Sequence, residues 1–216
     1  MPYLQKAGGI AGVCLSVLFV ISFVFILVIW PRAGVTGPAE VADPALILPA
    51  VANVPLLSFW LGINVPIAAA LLFVLLALDE QLHSVSPGLV RVATCVGLAA
   101  ALLFFTVGAL RFTSYRYFAS LYQQNAATVS AAYLSYLVVD MSFDHAAIFA
   151  SGWWLLLINW VARKAWARQL SYFGLLAGVS GVLGAGVPSI APLALSLYIL
   201  WFLWAGMLLL RKPFRA

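Results

Sequence analysis

The stretch Trp160–Gln169, WVARKAWARQ, places Arg163, Lys164 and Arg168 between two apolar runs. Before it stands AAIFASGWWLLLIN (146–159), and after it LSYFGLLAGVSGVLGAGV (170–187). A helix needs about 20 mainly apolar residues to cross the hydrocarbon core of a bilayer. Two such runs joined by a short basic turn read as a transmembrane hairpin. Basic turns mark the cytoplasmic side.

The same logic extends along the chain. Six segments qualify as spans: about 9–30, 56–78, 88–110, 146–165, 170–187 and 190–210. Lys6, Arg91, Arg163, Lys164, Arg168, Arg211, Lys212 and Arg215 fall in or beside alternate gaps. Arg32, Arg111 and Arg116 fall in the others. The positive-inside rule then puts both termini in the cytoplasm and the chain in the cell membrane. The composition agrees. The 216 residues are 65% apolar and 8% charged, against about 45–50% and about 25% in soluble domains. The net charge of +5 resides in short loops at span ends. It reports topology and attraction to anionic lipid, and no nucleic-acid motif accompanies it.

The first loop, Pro31 to Pro55, holds five prolines and cannot be one regular helix. The gap from Arg111 to His145 carries Tyr115, Tyr117, Tyr122, Tyr133 and Tyr136, several at helical spacing. It predicts one or two helices, either extending the third and fourth spans or lying on the outer surface. They form an exterior cap or a substrate vestibule. The expected fold is therefore all-α: six transmembrane helices in one domain, with an extracytoplasmic helical cap between spans three and four.

Charge inside a span is costly and flags function. All six acidic residues are expected in gaps or at helix ends. The best polar constellation is Asp140, Asp144 and His145, with Arg111 and Arg116 at the same level. Asp140 and Asp144 share a helix face. The group reads as an ion-pair network, a small-molecule or proton-transfer site, or a weak divalent-metal site. No metal motif is matched. No cofactor is expected; haem or chlorophyll on His145 is an alternative. Cys14 and Cys95 read as packed thiols that contact one another only if their helices are neighbours.

Within the spans, Pro66 predicts a kink, with Asn64 bonding the freed carbonyls or lining a cavity. Asn159 reads the same way. Gly174, Gly178, Gly181 and Ala185 form a small-residue face for helix packing, within the chain or against another membrane protein. Gly8 and Gly12 make a weaker one. Trp30, Trp60, Trp160 and Trp166 suit the interfacial belts. Trp153, Trp154, Trp201 and Trp204 lie deeper. They either pack the core or line a pocket for a lipid, quinone or pigment, in which Trp153, Trp201 and Trp204 are the candidate ligand-binding residues.

Three further stretches, FWLGINVPIAAALLFVLLAL (59–78), WVARKAWARQLSYFGLLAGVSGVLG (160–184) and LALSLYILWFLWAGMLLLRK (193–212), carry a resemblance that runs from about residue 46 to the end. In hydropathy and small-residue placement they resemble the DUF4386 group of bacterial multi-pass membrane proteins. The resemblance implies a six-helix membrane protein and assigns no activity or site residues.

The leading functional expectation is a non-enzymatic subunit that packs against lipid or another membrane protein. The second is a carrier or sensor for an apolar small molecule. The third is a membrane enzyme acting through Asp140, Asp144 and His145.

Overall fold

The computed structural model describes residues 2–211, so Lys212 and Arg215 lie outside the described residues. Among the described residues the secondary structure is helical throughout, and six helices are long and apolar enough to cross a membrane. The protein is a multi-pass helical membrane protein.

The first span is α1 (Pro2–Val24), which continues through a π-helical turn, Phe25–Ile29, into the short α2 (Trp30–Arg32). The proline-rich loop then breaks into α3 (Pro38–Val41), α4 (Pro44–Asn53) and α5 (Pro55–Leu61). A proline opens each of the three, where its missing N–H leaves no helix bond unmade. The remaining spans are α6 (Asn64–Leu82), α7 (Pro87–Tyr122), α8 (Ala126–Ala162), α9 (Arg168–Gly186) and α10 (Ala191–Arg211). The interruption expected from Pro66 falls one turn before it. The helix stops at Gly62–Ile63 and restarts at Asn64, which leaves Pro66 in a first turn.

The six spans form a ring in chain order. α1 packs on α6, α6 on α7, α7 on α8, α8 on α9 and α9 on α10, and α10 returns to α1. The ring closes through glycine. A Cβ on Gly12 would lie 2.9 Å from the Gly206 Cα, and one on Gly206 would lie 2.8 Å from the Val13 nitrogen. The two backbones approach this closely only because neither residue has a side chain. Above this contact the Ser16 hydroxyl donates to the Ile199 carbonyl at 2.7 Å, and Phe19 stacks on Phe202.

α7 and α8 have 36 and 37 residues, about 54–56 Å of helix against a hydrocarbon core of about 30 Å. The third and fourth spans thus run on together as a helical hairpin, turned at Gln123–Asn125 and capped by the Asn125 side chain. The hairpin keeps one heptad register from tip to core. Phe118 faces Tyr133, Arg111 faces Asp140, and Gly97 accepts Trp154, each pair at multiples of seven residues from the last. α4 packs its buried Ile47, Leu48 and Val51 toward this hairpin, and the Tyr133 hydroxyl donates to the Val41 carbonyl at 2.7 Å. The proline-rich loop and the hairpin are one unit.

The small-residue face of α9 is used inside the chain. Gly178 and Gly181 meet Gly152 of α8, Gly181 also meets Tyr198 of α10, and Gly174 seats the carboxamide of Asn159. Ala185 is half-buried, and Gly184 beside it takes the contact with Ala191 and Ala194. Gly8 packs on Ala77 of α6. Asn159 is fully buried. Its Nδ2 donates to the Leu155 carbonyl at 2.8 Å, and its Oδ1 accepts from Trp201 Nε1 at 3.1 Å. Gly174→Ala will collide with Asn159 and lower the thermal midpoint in detergent. Asn159→Ala alone leaves the Trp201 donor unpaired, at about 1–3 kcal/mol. In the double variant the clash disappears, so the two losses will be less than additive, and circular-dichroism melts of the four proteins measure the coupling.

Candidate functional site

The polar cluster sits where the α7–α8 register brings a basic and an acidic residue face to face. Arg111 Nε donates to both Asp140 carboxylate oxygens, at 2.9 and 3.0 Å. Its Nη2 lies 3.4 Å from Asp144 Oδ2. Asp140 is 2% exposed, Arg111 15% and Asp144 29%. The Tyr136 hydroxyl adds a long bond of 3.5 Å to Asp140. Behind it Tyr115, Phe118, Tyr133 and Tyr136 form an edge-to-face cluster with centroids 5.5–6.4 Å apart. These rings keep water from Asp140.

Asp140 and Asp144 are not at a helix end, because the fourth span extends through the gap in which they were expected. α8 begins twenty residues earlier than the span expected at 146, so both carboxylates are in the body of a helix. Asp144 stands about 27 Å along the axis from Ala162, near the edge of the hydrocarbon.

Arg111 and Asp144 form the polar end of a cavity of about 340 Å³. This is within the range of about 300–1,000 Å³ typical of small-molecule pockets. Its walls come from every span except α9: Phe19 and Ser22 of α1, Asn64 and Ile67 of α6, Phe104 of α7, Ile148 of α8, and Leu195 and Tyr198 of α10. Trp60 closes one side, stacked on Phe25 of the π-helical turn and met edge-on by Trp30 at 4.8 Å. Ile26, Leu27 and Pro192 also line it and are exposed, Leu27 by 63%. The cavity thus opens sideways between α1 and α10, above the point where their glycine contact ends. A π-helical turn is uncommon and concentrates at functional sites; here it aims Ile26 and Leu27 at the opening.

The other expected site residues are dispersed. His145 is half-buried and does not line the cavity. Arg116 is exposed, its guanidinium 4.9 Å from the Phe112 ring centroid. Among the described residues no ion pair joins either one to the cluster, and no group of three His, Cys, Asp or Glu side chains could hold a metal ion.

Of the two readings of the deep tryptophans, core packing holds for Trp154 and Trp201, and none of the four lines the cavity. Trp201 is fully buried in the core, edge-on to Trp154 at 5.6 Å, while Trp153 and Trp204 face outward. The ring is narrow at that level, and one indole from each of α8 and α10 fills it. Cys14 and Cys95 are both exposed and free. Trp60 and Tyr198, which do border the cavity, carried no sequence signal beyond the interfacial preference of aromatic residues. Asn64 was the exception, an amide in an apolar span.

No family model, curated protein or solved structure matches the chain. The function follows from the geometry of the site.

Removing one partner of a buried ion pair leaves an uncompensated charge and costs about 3–5 kcal/mol. Asp140→Asn will therefore destabilise strongly. Asp144→Asn will cost about 1 kcal/mol or less, because its contact with Arg111 is longer and partly solvated. Thermal midpoints of the two variants in the same detergent check this order.

Proposed function

We propose that this membrane protein binds a lipid-like amphiphile in the cavity between α1 and α10, as a carrier or sensor. The observation that carries the reading is the cavity itself: apolar walls, one charged end, and a mouth on the lipid-facing side. A tail from the bilayer can move sideways into it without crossing water, while its headgroup stays level with Arg111 and Asp144. Apolar pockets with a few convergent polar groups are the usual form of a small-molecule site.

Two observations favour this reading over the alternatives. The small-residue face of Gly174, Gly178 and Gly181 is occupied by α8 and α10, so it does not support docking of another membrane protein. Asp140 is sealed behind Arg111, and His145 stands off the cavity, so an Asp–Asp–His catalytic group lacks the convergence it needs.

We further propose that both termini are cytoplasmic and that the α7–α8 hairpin projects from the opposite face of the cell membrane. Lys6, Arg91, Arg163, Lys164, Arg168 and Arg211 gather at the end of the bundle that holds the termini. Arg32, Arg111 and Arg116 are at the hairpin end. The lysine and arginine bias supports that orientation.

Two measurements test these readings. Leu195→Trp puts an indole into the cavity from a half-buried position. Native mass spectrometry of gently extracted protein should show a lipid-sized adduct on the wild type and its loss from the variant at an unchanged melting temperature. Equal adducts on both would overturn the site. In a Cys14→Ser, Cys95→Ser background, Gln124→Cys should react with a membrane-impermeant maleimide on intact cells, and Lys164→Cys only after permeabilisation. The reverse pattern would invert the topology.

A further inference from the structure

We propose that the cavity selects amphiphiles whose polar end is a protonated amine, seated on Asp144. The inference rests on the ligand-binding reading of this cavity and names the class of ligand. Three observations carry it.

The first is charge. Arg111 is one cation facing two carboxylates, and its Nε is committed to both oxygens of Asp140 at 2.9 and 3.0 Å. Asp144 makes only the longer 3.4 Å contact, is partly exposed and lines the cavity. The cluster has a formal charge of −1 when both carboxylates are ionised. An anionic headgroup would add a third negative charge against a single guanidinium. An ammonium would neutralise the excess and take the open acceptor positions on Asp144.

The second is Asn64. It is nine-tenths buried, it lines the cavity, and its carboxamide makes no hydrogen bond among the described residues. Its amide is not sealed in the protein but keeps surface toward the cavity, where a ligand can reach it. Its carbonyl oxygen is a second acceptor for an N–H group, and its NH2 can donate to an oxygen further along the ligand.

The third is the wall. Phe19, Trp60, Phe104 and Tyr198 surround the space below Asp144. Aromatic faces attract ammonium groups within about 6 Å of a ring centroid. Their faces repel a carboxylate or phosphate; the wall's one unpaired donor is the buried Trp60 Nε1, which can serve a neutral or anionic oxygen further along the ligand. The space itself limits the tail. At about 340 Å³ it is at the small end of small-molecule pockets, so a single decyl chain is a fitting probe and a diacyl lipid leaves most of its tails in the bilayer.

The experiment offers the detergent-solubilised full chain an equimolar mixture of decylamine, decanol and decanoate at pH 7, with the adducts read by native mass spectrometry. The comparison is between wild type, Asp144→Asn and Asp144→Glu. Partition into the micelle is common to all three proteins and cancels in their ratios. The expected result is a decylamine-to-decanol ratio about tenfold or more higher in the wild type than in Asp144→Asn, the range expected for a hydrogen bond to a charged group. Asp144→Glu should keep most of the preference, and a melting curve confirms that each variant is folded. Equal binding of the three probes, or a ratio unchanged by Asp144→Asn, overturns the amine selectivity and leaves the binding site standing. Decanoate as the preferred probe overturns it too and makes Arg111 the anchor. Failure of all three probes to bind wild type, with Leu195→Trp indistinguishable from it, overturns the binding reading itself.

Discussion

The ion pair between Arg111 and Asp140 fixes the register of the two longest helices, and most of the structure follows from that register. A polar pair at a core position of a heptad seam costs stability but disfavours any sliding of one helix past the other. With Arg111 on Asp140, Gly97 receives Trp154 twenty-odd ångströms deeper along the helix. Toward the tip, Tyr133 reaches the Val41 carbonyl and fastens the proline-rich loop. Asp144, one turn below Asp140, is then aimed at the interior of the ring. A slip by one turn would unmake these contacts together.

Ring closure supplies the second constraint. Six helices packed in chain order form an open row unless the first and last meet. Here they meet through Gly9, Gly12 and Gly206, at the end of the bundle that holds both termini. Glycine is present only in that half of the seam. Toward the hairpin end, α1 presents Phe23, Ile26 and Leu27, and α10 presents Pro192 and Leu195, side chains that hold the two backbones apart. Closure at one end and separation at the other leave a wedge. The Phe19 and Tyr198 rings, backed by Phe202, form its floor, and Arg111 and Asp144 form its far wall. The opening is thus a product of where small and large residues fall along two helices.

Much of this was legible in the sequence, and the limits are physical. Hydropathy located six spans because nothing but a helix satisfies its backbone in hydrocarbon. The prolines of the first loop announced its breaks. Small residues on α9 announced close packing, though not which partner lies against them. The hairpin was half legible: the tyrosine spacing from Arg111 to His145 announced helices that extend the third and fourth spans or lie on the surface, and only packing chose the extension. Its heptad spacing was present all along, with Arg111 and Asp140 occupying core positions where a pattern search expects apolar residues. Position within a ring is harder still. Trp153 and Trp154 are adjacent and chemically identical, yet one faces outward and the other fills the core, because 100° of helix rotation separates them. Periodicity places residues on faces; only the packing of neighbouring helices decides which face is inward.

The distribution of polar groups inside the ring carries the last step. Asn159 lies on the terminus side of the aromatic floor, and it is fully satisfied, by Trp201 and the Leu155 carbonyl. Asn64 lies on the cavity side, and its carboxamide has no partner among the described residues. The two are the same residue type in the same kind of environment, an apolar span in a bilayer. The contrast is a local one, since the Gln81 carboxamide at the terminus end of α6 is also buried without a partner among the described residues. Around Asn159 the rings of Trp154 and Trp201 fill the space. Asn64 borders the half where space is left and where a charged cluster with an excess carboxylate forms the boundary. A bound amphiphile would supply a partner for Asn64 and a second cation beside Asp144 at the same time.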